Sequence, residues 1–93
     1  MPRWTADAIA DIQNGWDYIA EDNVAAADRI VERLISAADI LDRHPLIGRS
    51  GKEPGTRELI VSGTRYILIY RADGRKVEIL RVLHGKQNWP RQG

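Results

Sequence analysis

Two periods divide the chain. Up to about residue 43, apolar residues recur every three or four positions, and from Arg57 to His84 they alternate. In the first segment Ile9, Ile12, Trp16 and Ile19 fall on one face of a helix over 6–20. Thr5 is placed to cap it, and Asp7 stands in the first turn, where the helix dipole favours negative charge. Gly15 costs this helix about 1 kcal/mol relative to alanine, so close packing against a neighbour is the expected reason for it. Glu21-Asp22-Asn23 interrupts the pattern, with Asp22 or Asn23 ready to cap a second helix over 23–43. There Ala27, Ile30, Val31, Leu34, Ile35, Ala38 and Leu41 form a wide apolar stripe, while Asp28, Glu32, Arg33, Asp39 and Asp42 face outward. His44 before Pro45 ends it, because a residue preceding proline avoids helical angles. So short a connection predicts an antiparallel helical hairpin.

Residues 46–56 read as a basic loop rich in turn formers. Strands are predicted over 57–62, 65–72 and 76–84, the last two joined through Asp73-Gly74 as a two-residue hairpin loop. That loop sets Tyr70 opposite Val77, Leu68 opposite Ile79 and Tyr66 opposite Arg81 on one face. Ile69, Ile67 and Arg65 then oppose Glu78, Leu80 and Val82 on the other. The first face is the more continuously apolar and is expected to meet the helices. The second has an apolar centre ringed by Arg65, Arg71, Lys76 and Glu78, which suits a partner. Pro2–Trp4 is placed to add a short edge strand. The class is α+β: one domain over 1–93, with an N-terminal helical hairpin packed on a three- to four-stranded antiparallel sheet.

Composition narrows the chemistry. Cysteine is absent, which removes disulfides and thiolate chemistry. His44 and His84 are far apart in sequence, so no metal site is expected, and no glycine-rich phosphate loop is present. No run of 18 apolar residues occurs, and the expectation is a cytoplasmic protein without membrane contact. The formal charge of +1 conceals an asymmetry. Residues 1–43 carry four Arg and nine Asp or Glu, a net of −5, whereas residues 44–93 carry ten Lys or Arg and four acids, a net of +6. Taken singly, Arg49, Lys52, Arg57, Arg65, Arg71, Arg75, Lys76 and Lys86 read as solvated surface. As a group they outnumber nearby acids and point to an acidic or nucleic-acid partner. Arg81 falls on the face expected to meet the helices, so an acid of the hairpin is its natural partner. Trp4 and Trp16 align with the apolar stripe and are expected in the core, since the chain has no phenylalanine. Trp89, before Pro90, is either a cover for the sheet edge or an anchor for a partner.

Four stretches carry a resemblance: Pro45-Leu46-Ile47-Gly48-Arg49, Gly55-Thr56-Arg57-Glu58-Leu59, Tyr66-Ile67-Leu68-Ile69-Tyr70-Arg71 and Ile79-Leu80-Arg81-Val82-Leu83-His84-Gly85. With Trp16-Asp17-Tyr18-Ile19-Ala20 and Ala25-Ala26-Ala27 before them, their order and spacing resemble the RelE/ParE toxin superfamily over about residues 4–90, the ParE branch more closely. The resemblance implies the toxin half of a type II toxin–antitoxin pair, often described as a plasmid-stabilisation protein. It further implies neutralisation by a ParD-like antitoxin of ribbon-helix-helix type, contact with operator DNA only through that antitoxin, and DNA gyrase as target. No cofactor is implied. The RelE branch instead cleaves mRNA on the ribosome.

One departure separates the branches. The ribonucleases of this superfamily usually place an Arg three residues before the Tyr that ends the middle strand, and here that position is Ile67. They also carry Arg or a His-Tyr pair after the last strand, where this chain has His84-Gly85-Lys86-Gln87. Arg65, His84 and Lys86 make an incomplete set for orienting and deprotonating a 2′-hydroxyl while stabilising phosphate charge. No catalytic residue is therefore assigned. The residues expected to bind antitoxin or target are Arg49, Lys52, Arg57, Arg65, Arg71, His84, Lys86 and Trp89. The alternatives are a RelE-like mRNA endonuclease and an inactive homologue that acts only in the antitoxin complex and in operon co-repression.

Overall fold

A computed structural model describes residues 1–74 and 76–85. In chain order the elements are β1 (Arg3–Trp4), α1 (Ala6–Ala20), α2 (Val24–Arg43), β2 (Arg49–Ser50), β3 (Arg57–Ile60), β4 (Tyr66–Asp73) and β5 (Lys76–His84). Thr5 caps α1, its hydroxyl accepting from the Ala8 N–H at 3.0 Å. Asn23 caps α2 in the same way through the Ala26 N–H. The two helices form the expected hairpin and lie on one face of the sheet.

The sheet is mixed and has five strands in the order β1-β5-β4-β3-β2, which corrects the all-antiparallel sheet of three or four strands expected from the pattern. β1 pairs parallel to β5, with Arg3 opposite Glu78 and Trp4 opposite Ile79. Residues 46–56 are not all loop, since Arg49 and Ser50 pair with Glu58 and Arg57. The Gly51 N–H donates to the Thr56 carbonyl at 2.8 Å and closes that short ladder.

The β4–β5 register also differs from expectation. Asp73 is the last strand residue and pairs with Lys76, so the turn begins at Gly74 rather than ending on it. Gly74 carries the left-handed angle, φ 62°, that the first position of such a turn requires. The change moves the pairing by two residues, and a bulge beyond Tyr70 adds a third. Tyr70 therefore opposes Ile79, Leu68 opposes Val82, and Tyr66 opposes His84 rather than Arg81. Arg81 opposes Ile69.

The face choice holds despite the slip of register. Leu68, Tyr70, Val77, Ile79 and Val82 join Ala8, Leu34, Ala38 and Leu41 in the core, with Trp4 and Tyr66 packed at its margin. Trp16 is half-buried outside that cluster, and its indole N–H donates to Asp28 of α2 at 2.8 Å. The helical stripes are narrower than predicted, because Ile9 and Ile35 are exposed. Thr5 explains the first. Its N–H donates to the Ile79 carbonyl at 3.1 Å and its hydroxyl to the Leu80 carbonyl at 2.8 Å. These bonds fix the rotation of α1 so that Ala8 meets the core and Ile9 turns out.

Two joints position the surface features described below. The Asp11 carboxylate accepts from Arg81 Nε at 2.8 Å, Arg81 Nη2 at 3.0 Å and the Val82 N–H at 2.9 Å. It thus supplies the ion pair expected for Arg81 and satisfies the backbone just past the bulge. The Tyr70 hydroxyl, fully buried, donates to the Pro45 carbonyl at 2.7 Å and accepts from the Gly48 N–H at 2.9 Å. That pair of bonds holds the chain after α2 against the sheet. Gly48 leaves room for it, since an added Cβ would stand 2.6 Å from the same hydroxyl.

Candidate functional site

The eight residues singled out from the sequence do not form one cluster. Arg49 is engaged by Glu58, which accepts from its Nε at 3.2 Å and its Nη2 at 3.0 Å across the β2–β3 ladder. Arg57 turns inward to the preceding segment and donates to the Gly48 carbonyl at 2.9 Å. Both cations therefore help to shape residues 46–50. Lys52, in the loop, and Arg71, on β4, are exposed. Arg65 is exposed at the start of β4. His84 is half-buried at the end of β5, edge-on to the Tyr66 ring with centroids 5.6 Å apart and planes at 82°. Lys86 and Trp89 lie outside the described residues, as do Arg75, Gln87 and Pro90. The structure does bring three of the eight together: Arg49, Arg65 and His84 line one hollow of about 420 Å³ with Ile60 and Ile67.

One concavity involves residues that sequence reasoning passed over. A groove of about 630 Å³ runs between α2 and β3, walled by Arg29, Arg33 and Ile40 on one side and Ile47, Leu59 and Ile60 on the other. It is lined mainly by apolar side chains, and Leu46, Ile47 and Ile60 around it are all more than half exposed. Scattered exposed isoleucines are ordinary, but a contiguous row beside a groove is characteristic of a binding surface. Backbone geometry adds to this. β2 covers β3 only at Arg57 and Glu58, so the edge at Leu59 and Ile60 has no neighbouring strand among the described residues. An uncovered edge is a template for an added strand. Arg33 closes one end of the groove by donating to the Ser62 carbonyl at 2.7 Å. The alternation in 57–62 carried the signal for Ile60, because it puts this residue on the face away from the helices.

The chemistry of the remaining polar groups is limited. Burial, reinforced by the charge of a Tyr18 phenolate, pushes the Tyr66 phenol above its ordinary 10.0, so it is neutral at physiological pH and does not act as a base. The Asp11 hydrogen bond holds the Arg81 guanidinium above its ordinary value and keeps it as a charged partner of α1. Among the described residues, no group of three His, Cys, Asp or Glu side chains converges on a point where a metal could sit. Nor is any helix among the described residues long and apolar enough to cross a membrane.

Comparison with known proteins agrees with this architecture. The family model described as the ParE toxin of the type II toxin–antitoxin system parDE matches residues 3–89. A Sinorhizobium fredii protein, Y4kP, provisionally named a toxin, is 42% identical over 88 residues, which cover 95% of this chain and 91% of that one. The toxin RelE2 of Caulobacter vibrioides is 41% identical over 81 residues, 87% of this chain and 90% of its own. A solved chain of the chromosomal ParDE system from P. aeruginosa superposes with a TM-score of 0.78 at 25% identity, covering 88% of this chain and 91% of that chain. With the family model spanning nearly the whole fold, this chain belongs to the ParE toxin family of type II toxin–antitoxin systems.

Proposed function

We propose that this toxin acts in the cytoplasm by binding its target, DNA gyrase, rather than by a reaction of its own side chains. A ParD-like antitoxin neutralises it and supplies the only contact with operator DNA. The observation that carries the reading is the state of the cations and the histidine. Arg49, Arg57 and Arg81 are each committed to an internal partner. His84 packs against a neutral phenol, and Ile67 stands where the ribonucleases of the superfamily place an arginine. Phosphoryl chemistry without a metal needs a base, an acid and free positive charge on one phosphate. Beside His84 and the neutral Tyr66 phenol the described residues offer Arg65 as the one cation not committed to an internal partner, which leaves the set short of that combination.

The antitoxin is best accommodated by the groove between α2 and β3. Its apolar floor takes small hydrophobic side chains, the open edge at Leu59–Ile60 takes an extended backbone, and Arg29 on the rim favours an acidic segment. Lys52, Arg65 and Arg71 remain available as charges for a partner, whereas Arg49 and Arg57 shape the loop beside it. The experiment is a supercoiling assay with purified gyrase. The protein should block supercoiling or trap cleaved DNA at stoichiometric toxin, and cognate antitoxin should reverse the effect. Unimpaired supercoiling together with rapid mRNA cleavage would replace this reading with the nuclease, the activity associated with the RelE branch.

A further inference from the structure

A second concavity is lined by other residues than the groove assigned to antitoxin and adjoins it where Arg33 approaches Gly63. Two adjoining hollows of about 510 and 520 Å³ share Tyr18, Arg65, Tyr66 and His84, and form one cleft between the C-terminal half of α1 and the adjoining ends of β4 and β5. None of the residues lining it lines the α2–β3 groove. Gly15 opens its wall, because a Cβ there would meet the Tyr66 hydroxyl at 3.0 Å. Ile19 and Ile30 supply apolar floor.

Its charge is asymmetric. Asp11, the acid in its lining, is already bound to Arg81. Arg65 is exposed, and while its carbonyl accepts from the Gly85 N–H at 2.6 Å, its guanidinium has no hydrogen-bond or ion-pair partner among the described residues. The lining therefore offers one uncommitted guanidinium and no uncommitted carboxylate. Tyr18 stands on the rim with 76% of its surface exposed. A solvent-facing aromatic beside a free arginine is the composition that dominates binding energy at protein interfaces. The phenol of Tyr66 stays protonated, so it donates to a carboxylate instead of repelling it.

We propose that this cleft, centred on Tyr18, Arg65 and Tyr66, is the surface with which the toxin grips its target, and that the target segment presents a carboxylate beside an aromatic or aliphatic side chain. The carboxylate pairs with Arg65, and the apolar side chain lies between Tyr18 and the Ile19–Ile30 floor. The inference rests on the reading that the toxin works by protein–protein contact. It adds that target and antitoxin are bound at different places, so the two activities are separable by substitution.

The test uses full-length Tyr18→Ala and Arg65→Glu, with Arg43→Glu as an exposed cation outside both the cleft and the groove. Each is measured for growth arrest without antitoxin, for inhibition of gyrase supercoiling, and for affinity towards the cognate antitoxin. Both side chains are exposed, so circular dichroism should show native folding. The expected result is at least a tenfold loss of arrest and of supercoiling inhibition for Tyr18→Ala and Arg65→Glu. Antitoxin affinity should stay within twofold of wild type, and Arg43→Glu should behave as wild type throughout. Undiminished arrest by both cleft variants overturns the proposal. A matched loss of antitoxin affinity also overturns it, as does a wild-type chain that arrests no growth when free of antitoxin. If wild type arrests growth but leaves gyrase untouched, the choice of gyrase is wrong, and the arrest and affinity readouts still decide the cleft.

Discussion

Replacing Tyr70 with phenylalanine removes one oxygen and tests how the chain after α2 is held to the sheet. The ring is fully buried and keeps its packing, so the change isolates the two hydrogen bonds of the hydroxyl. The Gly48 N–H is buried and loses its acceptor, at about 1–3 kcal/mol for an unsatisfied buried donor. The Pro45 carbonyl belongs to a half-buried residue that water can reach, and its loss adds roughly 0.5–1 kcal/mol. The expected total is about 1.5–4 kcal/mol, a large part of the ~5–14 kcal/mol that holds a domain of this length together. In thermal unfolding that corresponds to a fall of roughly 6–30 °C. Urea unfolding is the cleaner assay, with a lower midpoint and an unchanged slope. Gly48→Ala attacks the same joint from the other side, because its Cβ would crowd the hydroxyl and approach the Glu58 carbonyl at 2.9 Å. A loss below about 0.5 kcal/mol for Tyr70→Phe, a typical surface effect, would refute the view that this hydroxyl fastens residues 45–48.

Asp11→Ala removes the acceptor for both the Arg81 fork and the Val82 N–H. With the two side chains 14% and 34% exposed, a destabilisation of about 2 kcal/mol is expected in urea unfolding. Combining it with Arg81→Met in a double-mutant cycle should give a coupling near 1 kcal/mol, and additive losses would contradict the pairing. Burial holds the folded-state pKa of Tyr66 above 10.0, so the folded chain binds that proton more tightly than the unfolded one. This contribution is intact below pH 10 and is lost as pH rises through 10 towards the higher folded value. Tyr66→Phe should therefore lose less stability than wild type over that alkaline window, and parallel stability curves would contradict the assignment. Ile60→Lys, on a residue 56% exposed, should leave stability within ~0.5 kcal/mol. It should weaken the antitoxin complex at least tenfold, or about 1.4 kcal/mol, by calorimetry; unchanged affinity would remove the β3 edge from the antitoxin site.

What could be read from the sequence was local. Thr5 and Asn23 cap their helices because a side-chain oxygen reaches an N–H three residues ahead, a relation that spacing alone reveals. The alternation of Tyr66, Leu68 and Tyr70 identified the buried sheet face even with the register wrong, since the face of β4 follows from its own period of two whatever it pairs with. The slip tells on β5, where past the bulge Val82 joins the core in place of Arg81. The parallel pairing of Arg3 and Trp4 with Glu78 and Ile79 spans most of the chain, and two residues are too few to show a period. The bulge opposite Tyr70 left no mark either, because its extra residue, Leu80, is held through its carbonyl by the Thr5 hydroxyl, far away in sequence.

The candidate site was legible in kind more than in place. An excess of cations in the second half was visible, but whether Arg49 meets Glu58 or a partner depends on how far a side chain reaches in three dimensions. Tyr18 carried a signal that went unused: it is a large aromatic lying off the apolar stripe of its helix, where nothing in the fold requires it. Gly15, in contrast, was read for its packing, and the neighbour it makes room for proved to be the Tyr66 hydroxyl of the same cleft.

Transcript integrity in cells arrested by this chain tests the account most directly. Primer extension on abundant mRNAs, sampled as growth stops after induction without antitoxin, should find full-length messages, while DNA recovered from the same cells carries gyrase-linked breaks. Messages cut within minutes of induction, with the cutting abolished by His84→Ala or Lys86→Ala, would show that the side chains perform chemistry and would contradict a toxin that works by binding.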